Sequence, residues 1–320
     1  MALLPAQLLR LLRAFGVLAG VLVMVFMVAR AVPGDPAVNL LGEQATEQEL
    51  AALRTRLGLD LPAGQQFRTY LGEVFDGSLG HSFQSNETVT RAIGRVLPFT
   101  VELALAGVLV ACLIAFPLGI LAALRKDTVL DNGALVLAMV GIAVPNFWLG
   151  PLAIHLVCVR LGWLPDPGAG VLGLPSLILP SLILGTALAG KLTRMIRASL
   201  LDVVHAEFVT AARARGLPER RVFLGHVLRN SMIPVATVLG LQLAALLTGT
   251  IVTEKVFARP GLGTLMLDAI QVRDYPVVQG CVIVVAAIYV AINWAVDGLY
   301  LLLDPRGAAA EGATASGRRA

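Results

Sequence analysis

Charged residues are scarce in this sequence of 320 residues, because Asp, Glu, Lys and Arg together make up 14% of it while hydrophobic residues make up 57%. Soluble globular proteins contain about 25% charged residues. This shortage excludes an ordinary soluble domain and predicts a protein that lies in a lipid bilayer. The formal net charge of +4 does not indicate a nucleic-acid partner, since the basic residues stand in short segments between apolar runs and form no soluble basic face.

Cysteine is also rare, and its three copies are far apart. Cys112, Cys158 and Cys281 fall in separate apolar runs, with no CxxC spacing and no cluster of histidines. A structural metal site or a disulfide framework requires closely spaced ligands or paired cysteines. We therefore expect no metal site, and we interpret the three thiols as small buried side chains.

Motifs for catalysis are missing as well. The four histidines are scattered, and no HExxH sequence, GxSxG sequence or carboxylate pair falls at membrane depth. No catalytic residue is predicted, and a membrane enzyme is therefore a disfavoured functional hypothesis.

One stretch resembles a nucleotide-binding motif only in its spacing. Gly185, Gly190 and Lys191 match the GxxxxGK pattern of a phosphate-binding loop, and no other match occurs. However, Leu192 stands where Ser or Thr should bind Mg²⁺, and the stretch continues an apolar run with no strand before it. This chain is therefore not expected to supply ATP chemistry, and no cofactor is predicted in it. The two glycines are expected to allow close helix packing.

The sequence does contain six apolar runs long enough to cross a bilayer. Each crossing needs about 20 residues in a helix, because lipid offers no hydrogen-bond partner to the backbone. The predicted spans cover residues 11–29, 98–124, 132–158, 175–192, 233–252 and 277–303. The predicted fold class is an all-α membrane protein with six transmembrane helices. The first run ends in an A-x-A-like sequence, but its length exceeds that of a signal-peptide core, so we expect it to be retained.

Lys and Arg in the short loops indicate the orientation, because they accumulate on the cytoplasmic side. Arg10 and Arg13 precede the first span, and Arg125 and Lys126 follow the second. Residues 191–229 contain eight basic and three acidic residues, a local surplus of 8 − 3 = +5. We therefore expect these segments and both termini to be cytoplasmic.

This orientation divides the chain into four regions. Residues 1–31 form the first transmembrane helix, and residues 32–97 form an extracytoplasmic cap of short helices and turns. Residues 98–306 form a five-helix core that includes a cytoplasmic loop at 193–232. Residues 307–320 are Ala- and Gly-rich and form a disordered cytoplasmic tail.

Several polar residues fall within or near the predicted spans, where their cost makes them candidates for a functional role. They are Glu102, Asn146, His155, Gln242, Asn293 and Asp297. Two interpretations stay open, because such side chains either line a pore or form hydrogen bonds between helices.

The cytoplasmic segment between the fourth and fifth spans is the most informative part of the chain. Its pattern fits two short helices that are broken at residues 216–218, Gly-Leu-Pro. Glu207 and Glu219 fall in their first turns and Arg229 near the end of the second, as the helix dipole favours. The second helix has mixed apolar and basic surface and is too polar to span. It either lies on lipid or docks into a partner's groove.

This segment resembles the EAA loop of bacterial ABC importer permeases, whose pattern is EAA, three residues, Gly, nine residues and IxLP. Residues 210–212, Thr-Ala-Ala, precede Gly216 at that spacing, and residues 226–229, His-Val-Leu-Arg, follow nine residues later. The Glu, Ile and final Pro of the pattern are replaced, as in the dipeptide/oligopeptide/nickel permease family. Further family-like stretches extend the resemblance over residues 8–306. They are PGDP at 33–36, LGLD at 57–60, PNFWLG at 145–150, GWLP at 162–165, VF at 256–257, PGLG at 260–263, RDYP at 273–276 and LDPR at 303–306.

The resemblance implies the type I permease fold of ABC importers and a multi-pass location in the bacterial cytoplasmic (inner) membrane. It also implies that residues 193–232, the coupling loop, fit a groove on a separate ATPase subunit. Gly216 would then supply a tight turn, and Glu219, Arg220 and Arg221 would supply polar contacts. The implied coupling residues are Glu207, Thr210, Ala211, Ala212, Gly216, Glu219, Arg220, Arg221, His226 and Arg229.

The implied partners are a homologous second permease subunit, two cytoplasmic ATPase subunits and an extracytoplasmic substrate-binding protein facing residues 32–97 and 253–276. ATP and Mg²⁺ would be bound by the ATPase subunits and not by this chain. The predicted function is ATP-driven import of di- or oligopeptides, in which this chain forms half of the translocation path and is not an enzyme. One alternative keeps this architecture and imports nickel, a metallophore, an opine or glutathione. A more distant alternative is a self-contained secondary transporter, for which the chain lacks a convincing internal repeat.

Overall fold

The computed structural model describes residues 3–31, 34–42, 44–170 and 173–303. Its helices are α1 (Leu3–Ala31), α2 (Pro36–Leu41), α3 (Glu47–Arg56), α4 (Ala63–Phe75), α5 (Val89–Leu124), α6 (Val129–Ala143), α7 (Asn146–Ala153), α8 (Leu174–Val204), α9 (Glu207–Ala214), α10 (Glu219–Val222), α11 (Arg229–Val256), α12 (Leu262–Gln271) and α13 (Tyr275–Leu303). Two π-helical segments, Ile154–Arg160 and Phe223–Leu228, follow α7 and α10. The described residues contain no strand, so the all-α prediction is confirmed. The predicted tail at 307–320 lies outside them.

The number of membrane spans also agrees with the prediction. Within the described residues, five helices are long and apolar enough to cross a bilayer, namely α1, α5, α8, α11 and α13. A sixth span exists if α6 and the helical residues 146–160 are counted together, although they are bent by 94°. The apolar run predicted as one span at residues 132–158 therefore consists of two helical segments joined at a bend. Val144, the residue before Pro145, has an extended conformation (φ −82°, ψ 119°), which ends α6.

Three helices extend beyond the apolar runs that predicted them. Helix α5 begins at Val89 rather than at residue 98, and α8 continues to Val204 rather than ending at residue 192. Helical structure also runs without a break from Glu219 through the second π-helical segment to Val256. Hydropathy marks only the lipid-facing length of a helix, so it does not report these polar extensions.

The chain forms two compact units. The first contains residues 3–100 and 260–290, and the second contains residues 101–259 and 291–303. Each unit thus combines segments that are far apart in the sequence. Helices α5 and α13 each contribute residues to both units.

In the first unit, acidic side chains hold the short helices and turns together. Asp35 accepts a hydrogen bond from the Ala37 N–H at 2.9 Å, which caps α2, and it also forms a 2.6 Å salt bridge with Arg54 of α3. Asp274, at the start of α13, is buried and accepts a 2.5 Å hydrogen bond from the Ser82 hydroxyl. The PGDP and RDYP stretches therefore have structural roles in this unit.

In the second unit, α5 packs along α8 in a parallel orientation. Gly107 lies against Leu184, and Gly119 lies against Ile196, so the contact advances in the same direction on both helices. A Cβ atom on Gly185 would lie 2.9 Å from the carbonyl oxygen of Gly107. Glycine therefore allows the two backbones to approach closely.

Helix α11 packs along α8 in the antiparallel orientation. The Ser199 hydroxyl of α8 donates a buried 2.7 Å hydrogen bond to the carbonyl oxygen of Ser231, near the start of α11. Further along, Leu184 of α8 and Leu246 of α11 belong to the same apolar cluster. Helix α8 thus lies between α5 and α11 and forms the centre of this unit.

The GxxxxGK stretch lies entirely within α8, and its second glycine packs against α6. A Cβ atom on Gly190 would lie 2.2 Å from the carbonyl oxygen of Ala138. Since Gly185 faces α5 in the same way, the prediction that these glycines allow close helix packing is confirmed.

Candidate coupling site

The coupling loop has the helix break at Gly216 that its pattern predicts, but the second helix does not end near Arg229 as expected, because helical structure continues into α11. Helix α8 ends at Val204, and α9 and α10 follow as separate helices on either side of Gly216. Gly216 has φ +75°, and its N–H donates a 2.9 Å hydrogen bond to the carbonyl oxygen of Arg213. A left-handed glycine of this kind commonly ends a helix. A Cβ atom at Gly216 would meet nothing within 4 Å, so its glycine serves the backbone conformation and not close packing.

This geometry predicts that the identity of residue 216 affects the turn through backbone strain alone. In detergent, Gly216→Val should increase the rate of tryptic cleavage at the neighbouring Arg213 and Arg215 about tenfold, because a left-handed residue with a side chain costs roughly 1–2 kcal/mol. Gly216→Asn should change the rate far less, since asparagine tolerates this conformation. Equal cleavage rates for the two variants would show that strain at residue 216 does not control the turn.

One side of the coupling loop is packed against protein. Val209 of α9 and Val222 of α10 are fully buried, and Val227 of the π-helical segment is 1% exposed. They share an apolar cluster with Ile196 and Leu200 of α8. Helix α10 is therefore anchored to the helical unit by its apolar side, which leaves its polar side as the candidate surface for a partner.

The predicted coupling residues divide between these two sides. The exposed ones are Glu207, Thr210, Ala211, Gly216, Glu219, Arg220, Arg221 and Arg229. His226 is half-buried, and Ala212 is buried. Phe208 and Leu224 are 45% and 50% exposed among these charges. Exposed apolar side chains within a polar surface are typical of protein interfaces. Phe208 was not among the predicted coupling residues, although an apolar side chain directly after Glu207 in this polar segment indicated it.

An ion pair joins the two arms of the loop across the Gly216 turn. The Arg213 Nε donates to the Glu219 Oε1 at 2.9 Å, and both side chains are largely exposed. An exposed pair contributes only about 0–1 kcal/mol, so it orients the arms more than it stabilises the fold. Glu219, which was expected to contact the ATPase, is thus paired within the chain, whereas Arg220 and Arg221 belong to the exposed surface.

The π-helical segment Phe223–Leu228 joins α10 to α11, and the sequence did not predict it. Asn230 donates a 2.7 Å hydrogen bond to the carbonyl oxygen of His226, and Ser231 donates a 2.9 Å bond to that of Leu228. Side chains thereby satisfy carbonyl groups in the wider helix. Single π-helical turns occur frequently at functional sites. Helical structure is therefore continuous from α10 through this segment into α11, a candidate membrane-spanning helix.

The predicted pore residues lie on several different elements. Asn146 begins α7, Gln242 lies on α11 and Asn293 lies on α13, and each is half-buried. His155 is exposed in the first π-helical segment. The side chain of Asp297 lies outside the described part of the chain. The structure brings no two of the described four together by a hydrogen bond, so a pore lined by them stays a prediction.

Glu102 follows the interhelical alternative. The Arg259 guanidinium donates a hydrogen bond to Glu102 on α5 and another, of 3.3 Å, to the Ser176 hydroxyl on α8. Arg259 is 4% exposed. The sequence analysis missed Arg259, because it stands beside the PGLG stretch and carries no helical periodicity.

Comparisons with known proteins cover nearly the whole chain. Residues 115–308 match the model of the binding-protein-dependent transport system inner membrane component, and residues 4–104 match the model of its N-terminal part. A putative peptide transport system permease protein of Brucella abortus (strain 2308) is 39% identical, over 93% of this chain and 96% of that protein. The di/tripeptide transport system permease protein DppB of Pseudomonas aeruginosa (strain UCBPP-PA14) is 37% identical, over 90% of this chain and 94% of that protein. The glutathione transport system permease protein GsiC of Salmonella choleraesuis (strain SC-B67) is 42% identical, over 92% and 96%.

Solved structures share the fold at lower identity. An inward-facing structure of the MetNI methionine ABC transporter has a TM-score of 0.54 and 17% identity, and it covers 67% of this chain and 96% of that one. An amino acid ABC transporter crystallised with histidines has a TM-score of 0.50 and 18% identity, with 68% and 94% covered. Since the family models include both the coupling loop and the helices that carry it, this chain belongs to the binding-protein-dependent transport system inner membrane components, the permease subunits of ABC importers.

Proposed function

We propose that this permease forms half of the path for di- and oligopeptides, and that its coupling loop docks onto a separate ATPase subunit. The observation that carries the proposal is the two-sided character of α9 and α10. Their apolar sides are anchored on α8, while Phe208, Arg220, Arg221 and Leu224 remain accessible. An anchored helix with an exposed, charged and partly apolar surface suits a partner that must push it.

Peptide cargo is supported by the names of two relatives, and glutathione is the second candidate because a relative of similar identity carries that name. Both cargoes are short peptides in a chemical sense, so one path accommodates either. Two permease subunits, two ATPase subunits and an external binding protein complete the proposed complex.

The proposed orientation places both termini and the coupling loop in the cytoplasm. The salt bridge between Asp131 of α6 and Arg197 of α8 supports it, because it holds the loop before α6 at the same end of the helices as the coupling loop. The sequence predicted the same side for these two segments from their Lys and Arg residues.

The first unit offers a surface for the external binding protein. A cleft of about 580 Å³ is lined by charged residues of both signs, among them Arg56, Glu73 and His81, and by aromatic rings. Burial raises the pKa of the Glu73 carboxyl, and the nearby His81 partly opposes this shift. The mixed charge of the cleft is compatible with docking a protein partner.

Transport assays test the cargo. In cells without other peptide importers, this chain expressed with its partner subunits should take up a radiolabelled dipeptide, and uptake should stop when the chain is omitted. Excess unlabelled dipeptide should compete, and competition by glutathione alone would favour the second candidate. Uptake that is independent of ATP would instead point to a secondary transporter.

A further inference from the structure

An ion pair with a buried carboxylate joins α6 to the part of α8 that begins the coupling loop. Arg197 of α8 donates from Nε to Oδ1 of Asp131 at 2.6 Å and from Nη2 to Oδ2 at 2.7 Å. The Asp131 side chain is 1% exposed, and its Oδ2 also accepts the backbone N–H of Asp127 at 3.0 Å. Such bidentate pairing is strong and fixes direction as well as distance. The carboxylate therefore joins the start of α6 firmly to α8.

Beyond the ion pair, glycines keep the two helices in close contact. Gly190 of α8 meets the carbonyl of Ala138, and a Cβ atom on Gly141 of α6 would lie 2.9 Å from the carbonyl oxygen of Thr186. These contacts continue the antiparallel register of the ion pair toward the other end of α6. Because both are approaches to backbone atoms, one helix cannot slide past the other without a collision.

The pair stands between α9, the first short helix of the coupling loop, and the bend that follows α6. Arg197 lies in the part of α8 that leads to its end at Val204, directly before α9. Helix α6 leads in the opposite direction to Pro145, where the chain turns by 94° into α7. Helix α7 packs against α11, and a Cβ atom on Gly150 would lie 2.8 Å from Val256.

We propose that Asp131 and Arg197 are positioning residues that make α6 move with α8 when the ATPase displaces the coupling loop. The glycine contacts hold the middle of α6, and the ion pair prevents its first turn from separating. Movement of the loop then reaches the bend at Pro145 and α7, instead of being lost as independent motion of α8. This inference rests on the proposed function, because it requires an ATPase on the coupling loop.

Three variants of the assembled complex in proteoliposomes test the inference. Asp131→Asn removes the negative charge with almost no change of side-chain shape. Arg197→Lys keeps the positive charge but loses the bidentate hydrogen bonding. Both should assemble with the ATPase and hydrolyse ATP, while the peptide imported per ATP falls about tenfold for Asp131→Asn and several-fold for Arg197→Lys. Lys126→Asn is the matched control, because Lys126 is an exposed cation in the loop before α6. This variant should import as much peptide per ATP as the wild type.

The outcomes separate the two hypotheses. If the wild-type chain does not retain an ATPase, the proposed function fails. If it does, and both variants transport with the wild-type ratio, only the positioning role is overturned. A purely structural pair would lower the amount of assembled complex but not the ratio in the complex that remains. Should Asp131→Asn not accumulate, Arg197→Lys decides alone, since its buried carboxylate keeps a cationic partner.

Discussion

Reversing two charges on α10, with Arg220→Glu and Arg221→Glu in one chain, should abolish copurification of the ATPase subunit. Both side chains are exposed, whereas the neighbouring Val222, which anchors the helix, is buried, so the change leaves the anchoring of the loop intact. Placing like charges opposite each other at an interface costs several kcal/mol, which corresponds to a loss of affinity of roughly 100-fold or more. Affinity purification of the tagged permease from membranes measures this directly.

A matched control changes the same number of charges elsewhere. Arg68→Glu with Arg91→Glu alters two exposed arginines of the first unit, and this variant should retain the ATPase. Insertion of both proteins is compared by their elution from a sizing column in detergent. Retention of the ATPase by the α10 variant, with transport still coupled to hydrolysis, would refute docking through Arg220 and Arg221.

A second large effect is expected at the contact between α6 and α8. Gly190→Leu places a side chain where even its Cβ would lie 2.2 Å from a backbone oxygen, so the helices must separate. Overpacking usually costs about 1–3 kcal/mol and more where backbone must move, and 3 kcal/mol lowers the melting temperature by roughly 5 °C in a chain of this size. Thermal unfolding of the purified protein in detergent measures the change.

The neighbouring helix supplies the control for this variant. Gly133 of α6 is exposed, and a Cβ there would meet nothing within 4 Å, so Gly133→Leu should melt at or slightly above the wild-type temperature. If the two leucine variants melt alike, close packing at Gly190 does not hold the helices together.

Hydropathy located the spans but not their interruptions. The average hydropathy of residues 132–158 is insensitive to Pro145. Proline disfavours the helical conformation of the residue before it, but Pro180 and Pro234 lie inside α8 and α11, so a proline alone did not predict this bend. In contrast, the ends of α5 and α8 could not be predicted. Their polar end segments have helical propensity, and hydropathy does not change at the residue where the helix stops.

The coupling loop could be located from its spacing, and Gly216 has the left-handed conformation that a tight turn requires. The motif spacing could not predict which charged side chains pair with each other. The bond between Glu219 and Arg213 crosses a turn, and Arg197 reaches Asp131 across 66 residues of sequence. Arg197 had been interpreted only as one of many cytoplasmic charges, because a sequence shows that a charge is present and not what it faces.

The central position of α8 has a consequence for biosynthesis. Helices α5 and α6 leave the ribosome first, yet the close glycine contacts of both are made with α8, which is synthesised later. Until α8 enters the bilayer, the grooves at Gly107, Gly119 and Gly141 are open to lipid or to other chains. The close contacts that position α5 and α6 in this unit can therefore form only after α8 has been synthesised.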